Sequence, residues 1–174
     1  MNEVRILEQF MKGVNENGVG VFFPRLLGYE WRSSASVSVL ALEDVGHTVK
    51  VMESIAELLL TISNLLEAVR SMHMDAKVVH GDITPENICR DDLGRSRLIN
   101  FKFASTIEGD GARLVPKGCT RKFAASAVMQ EAATCGYKSD ICNVGATIKF
   151  WAEGLADVLQ LNESEDTYHR FRQE

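Results

Sequence analysis

The chain has 174 residues, a length that fits one domain or slightly more. Hydrophobic residues make up 45%, enough to bury a core, which excludes a disordered chain. The net charge of −5 leaves no basic footprint for nucleic acid, and no apolar run reaches the length of a membrane span.

The N-terminus, MNEVRILEQF, is charged from its third residue and is no signal peptide, so an intracellular location, cytoplasmic or nuclear, is expected. Residues 2–13 place Val4, Leu7, Phe10 and Met11 on one helical face, and Gly13 is expected to end that helix. VNENGVG then reads as a loop. VFFPRLLGYEW and SASVSVLALED read as strands, the second by its alternation. A long amphipathic helix is predicted from about Met52 to Met74. Its stripe of Ile55, Leu58, Leu59, Ile62, Leu65, Leu66, Val69 and Met72 is expected to face the core. Short strands follow at KVVH, NICR and RLINF, the last two joined by a DDLG turn. A final helix is predicted from Ser139 to Trp151 or beyond. Cys89, Cys119, Cys135 and Cys142 form no Cys-x-x-Cys pair and read as reduced thiols, with Cys142 a buried small hydrophobe. The sequon at Asn162 is read as chance.

The chemistry concentrates in HGDITPEN. Asp82 and Asn87 stand five residues apart in a tight loop that His80 and Gly81 open. A carboxylate there can accept the proton of an attacking hydroxyl, and an amide oxygen can hold magnesium on phosphates. Asn100 lies thirteen residues beyond Asn87, at the end of a hairpin that folds back towards the loop, and could reach the same metal.

These residues resemble the eukaryotic protein-kinase family, whose catalytic loop H-R-D-x-x-x-x-N matches His80, Asp82 and Asn87. LINFKFAS resembles the metal-binding D-F-G segment, with Asn100 for Asp and Lys102 for Gly. KGCTRKFAASAV resembles the end of an activation segment, with Ala125, Ser126 and Ala127 where A-P-E would stand. GYKSDICNVGATI resembles the buried helix that follows, with Asp140 bonding the backbone of the catalytic loop. LALEDVG resembles the hinge, with Glu43 as its acidic residue, and NEVRIL the αC helix, with Glu3 at the position that pairs with a strand Lys. The resemblance implies an α+β fold of the protein-kinase type, chiefly the helical C-lobe. On this reading residues 1–174 form one truncated domain, with about 1–45 a remnant of the N-lobe and hinge and about 46–174 a partial C-lobe. It implies ATP and magnesium as cofactors wherever binding or activity is retained. Asp82 and Asn87 are then the catalytic positions, Glu43, Asn87 and Asn100 the cofactor positions, Asn87 and Asn100 the metal positions, and His80, Asp140 and Glu3 structural.

The departures from that pattern are specific. Only two residues precede Glu3, so the glycine-rich loop and its Lys are expected to be missing, and Glu3 to be a solvated helix charge. NGVGVF looks like a phosphate loop but follows the first helix and reads as a turn. Gly81 replaces an Arg, Thr84 a phosphate-touching Lys, and Ala127 an acidic anchor. Lys102 is either a surface residue or an ammonium standing where magnesium would. Above all, Asn100 offers a metal a neutral oxygen in place of a charge. At a few ångströms and an effective dielectric near 20, a unit-charge interaction is worth roughly 4 kcal/mol, and about 1.4 kcal/mol is tenfold in rate. The losses predict an inactive or nearly inactive domain, a pseudokinase that binds protein such as a kinase or a kinase substrate. An active, divergent Ser/Thr protein kinase is the second reading and a small-molecule phosphotransferase the third.

Overall fold

A computed structural model describes residues 2–17, 19–32, 37–107, 120, 122–123 and 136–159. The first helix, α1, is Asn2–Asn17. It buries Val4, Ile6, Leu7 and Phe10, whereas Met11 is 38% exposed, so Ile6 takes the place expected of Met11. The helix also runs through Gly13 rather than stopping there. A single helical glycine costs about 1 kcal/mol, which the packing of the preceding turns offsets. A 3-10 turn at Val19–Phe22 follows, where NGVGVF was expected to be loop.

Strand β1 is Leu26–Arg32 and pairs antiparallel with β2, Val37–Leu42. The strand expected from Val21 thus begins five residues late. Pro24 explains the delay, because it has no N–H for a ladder. The short β3, His47–Thr48, joins β5, Ile88–Arg90, which pairs in turn with β6, Ser96–Leu98. Gly46, at φ +81, lets the hinge backbone lie against the Arg90 carbonyl, where a Cβ would overlap the oxygen. Asp91 closes the β5–β6 turn by accepting from the Leu93 and Arg95 amides through Oδ1, both at 3.0 Å.

Helix α2 is Ile55–Met74, capped by Ser54, whose hydroxyl accepts from the Glu57 amide. Its core face carries Thr61, Leu65, Ala68, Val69 and Met72. Of the remaining stripe, Leu58 and Ile62 are half-buried, Leu58 packing against the core, whereas Ile55 is 57% exposed, Leu59 61% and Leu66 47%. The apolar band is too wide for one contact face, so its far edge lies in solvent.

Two-residue strands β4, Val78–Val79, and β7, Ser105–Thr106, pair antiparallel and clamp the entrance of the His80–Asn87 loop to the exit of the hairpin. Helix α3, Tyr137–Val158, starts at Gly136, where Ser139 Oγ accepts from the Gly136 amide at 3.0 Å. Cys142 on this helix is exposed, not buried as expected; it falls on the outer face, opposite Val144 and Trp151. Cys119, Cys135, Asn162 and the Ala125–Ala127 segment lie outside the described residues. Among the described residues, three small antiparallel sheets and the helical body give an α+β fold. No described helix is long and apolar enough to cross a membrane.

Trp151 fixes α3 to the chain that follows the hinge. It is buried, and its Nε1 donates to the Val49 carbonyl at 2.9 Å. Trp151→Phe should lose about 1–3 kcal/mol by leaving that carbonyl unpaired. Trp151→Ala should lose about 3–5 kcal/mol by adding a cavity. Urea denaturation midpoints check both, and equal midpoints for the two variants would contradict this account.

Candidate active site

Asp140, on the first turn of α3, is fully buried and organises the loop. Its Oδ2 accepts from the His80 amide and from His73 Nε2, each at 2.8 Å, and its Oδ1 from the Gly81 amide at 2.9 Å. Gly81 has φ +81, a left-handed conformation that glycine adopts without strain. That turn aims Asp82 into the site. Thr147 on α3 adds a bond from its hydroxyl to the Ile83 carbonyl at 3.2 Å.

His80 is also fully buried, edge-on to Phe101 with ring centroids 4.9 Å apart. Burial pushes its imidazole below the ordinary histidine range, against the pull of Asp140, the Ile99 carbonyl, Asp82 and Glu3. The neutral ring donates from Nε2 to the Ile99 carbonyl at 3.0 Å and accepts at Nδ1 from the Asp82 amide at 3.1 Å.

The candidate catalytic groups meet as expected from their spacing. Asn87 Nδ2 donates to the Asp82 carbonyl at 2.7 Å and to Asp82 Oδ2 at 3.1 Å. Asn100 Nδ2 donates to Asn87 Oδ1 at 2.9 Å. Asp82 Oδ1 accepts from the Thr120 amide at 2.6 Å, a contact from a distant segment that no local spacing announced.

A family model for the protein kinase domain matches residues 38–174. The chain belongs to the protein kinase family. It is also 31% identical over 123 residues to the phosphorylase b kinase gamma catalytic chain, liver/testis isoform, of Rattus norvegicus. That match covers 71% of this chain and 29% of the relative's length.

Within this kinase-family chain, Glu3 is not the solvated charge expected of it. Its Oε1 accepts from the Phe101 amide at 2.8 Å, while Asn2 Nδ2 donates to the Ala104 carbonyl at 2.6 Å. The N-terminus of α1 thus holds the turn that carries Asn100. Glu43, expected as the acidic residue of a hinge, is engaged by Arg97 and lies 3.7 Å from Arg25 Nε. The Lys102 ammonium sits 4.7 Å from the centre of its neighbouring Phe103 ring, at the surface. A shallow polar cavity lies beside the hinge, lined by Asp44, His47, Asp91, Asp92, Arg95 and Arg97. None of Asp82, Asn87 or Asn100 lines it.

The donor set does not fit magnesium. That ion takes carboxylate and water oxygens in a near-ideal octahedron. Here the two expected ligands are neutral amides, and the oxygen of Asn87 already accepts from Asn100. Among the described residues no group of three His, Cys, Asp or Glu could hold a metal.

Two outcomes follow from this geometry. Both Asp140 oxygens accept, so Asp140→Asn must face an N–H with an NH2; it should lose roughly 3 kcal/mol or more in urea denaturation. A loss below about 1 kcal/mol would contradict the role given to the carboxylate. His80 is protonated less readily folded than unfolded, so the unfolded chain binds the extra proton. Stability from His80 is therefore full above about pH 6.5 and falls, by up to about 1.4 kcal/mol per pH unit, as pH drops towards the folded value. His80→Phe keeps a ring in place and should lose that one-proton slope; identical slopes in the two proteins would refute it.

Proposed function

We propose that this kinase-family domain is catalytically impaired and acts by binding protein, a kinase or a kinase substrate. The observation that carries this reading is the Asn100 side chain, which gives its N–H to Asn87 Oδ1 where the family pattern has a metal-binding carboxylate. Phosphoryl transfer consists almost wholly of positioning and charge neutralisation, so losing one formal charge at the metal is severe. Thr84, in place of a phosphate-touching Lys, is a buried hydroxyl and supplies no cation. Each oxygen of Asp82, the expected base, already accepts a hydrogen bond. The exposed Ile55, Leu59 and Leu66 on α2 support a binding role, since contiguous apolar surface marks partner sites.

An active Ser/Thr protein kinase is the second reading. It is favoured by the retained Asp82–Asn87 pair and by the similarity to the rat relative, a catalytic chain.

Incubation with radiolabelled ATP, magnesium or manganese and a protein acceptor separates the two. Wild type is expected to label no more than Asp82→Asn. Labelling that vanishes in Asp82→Asn would establish the second reading and end the first. Thermal melting with ATP adds a binding readout, since ligand at a hundred times its Kd contributes about 2.7 kcal/mol. A flat response at millimolar ATP is expected.

A further inference from the structure

We infer that the Asn100 amide stands in for a divalent cation in tying the hairpin to the catalytic loop, so that this loop assembles without metal. The orientation of each amide is set by its neighbour. Asn87 faces two acceptors of Asp82, the carbonyl and Oδ2, and so must present Nδ2 to them. Its Oδ1 then faces Asn100, which must present Nδ2 in turn. The result is a directed ladder from Asn100 to Asn87 to Asp82, ending on the one carboxylate, whose other oxygen the Thr120 amide satisfies.

Position 100 is held for this task from both sides. Its backbone is left-handed, φ 68 and ψ 64, a conformation that asparagine tolerates better than most residues. The next residue, Phe101, is fully buried, and its amide is bonded to Glu3. The Asn100 side chain is therefore aimed at Asn87 by the fold.

A carboxylate in the same place would set an acceptor against the acceptor Oδ1 of Asn87 and bring a second negative charge towards Asp82. Without a cation that arrangement is repulsive; with one it becomes a pair of oxygen ligands. One substitution should thus convert a metal-indifferent loop into a metal-dependent one.

This inference deepens the reading of an impaired site and rests on it, but its test omits nucleotide, so the two fail separately. Thermal melting of the full chain is compared in EDTA, MgCl2 and MnCl2 for wild type, Asn100→Asp and Asn100→Ala. Wild type should melt at one temperature throughout. Asn100→Asp should melt several degrees lower in EDTA and recover in MnCl2. Asn100→Ala, which leaves Asn87 Oδ1 without its donor, should melt lower by the same amount in all three. A manganese-induced rise in wild type that Asn100→Ala abolishes overturns the inference. So does an Asn100→Asp variant as stable as wild type in EDTA, or one that folds yet ignores manganese. If Asn100→Asp does not fold at all, Asn100→Gly, which keeps the left-handed backbone without strain, decides: melting with or above wild type refutes the ladder, and a metal-independent loss supports it.

Discussion

The buried carboxylate of Asp140 is the constraint on which the loop depends. An ion removed from water costs several kcal/mol even after relaxation. Three charge-assisted hydrogen bonds, of roughly 1.5–3 kcal/mol each, offset that cost only if all three donors are in place. Two of those donors are consecutive backbone amides, at His80 and Gly81. Meeting the demand of one side chain on α3 therefore fixes the path of the loop before any catalytic group is considered. Asp82 and Asn87 inherit their positions from it.

A second line of order reaches the same loop through rings. Phe10 and Phe23 stack at 4.2 Å, Phe101 meets Phe10 edge-on at 5.0 Å, and His80 meets Phe101 at 4.9 Å. This column runs from α1 to the His80–Asn87 loop, and the Glu3 carboxylate braces it beside Phe101. Such ring pairs contribute about 0.5–1.5 kcal/mol each beyond their buried area. The helix at the N-terminus is thus part of the site's support, although it contributes no group to the chemistry.

What the sequence disclosed and what it hid divide along the reach of each interaction. The spacing of Asp82 and Asn87, the return of Asn100 on a hairpin and the presence of a helix at α3 were legible, because each rests on local geometry or helical period. The contacts of Thr120 with Asp82, of Glu3 with Phe101 and of Arg97 with Glu43 were not, since they join residues 38, 98 and 54 positions apart. The width of the α2 stripe misled for a related reason. Periodicity shows which residues share a face, and only the neighbouring elements decide how much of that face is covered. Gly13 misled because a weak local preference gave way to packing.

On the proposed reading, an intact loop and a weakened catalytic set belong together. A loop built for metal carries unbalanced negative charge, and its ground state without the ion is strained by that repulsion. Replacing one carboxylate with an amide removes the repulsion and adds a donor, so the groups satisfy one another. On the proposed reading the loop gains a hydrogen bond between Asn100 and Asn87 and loses a charge that could act on phosphate. For a domain whose role is to present a fixed surface, that exchange is favourable under every ionic condition; for one that must hold a γ-phosphoryl group, it removes the charge that the reaction needs.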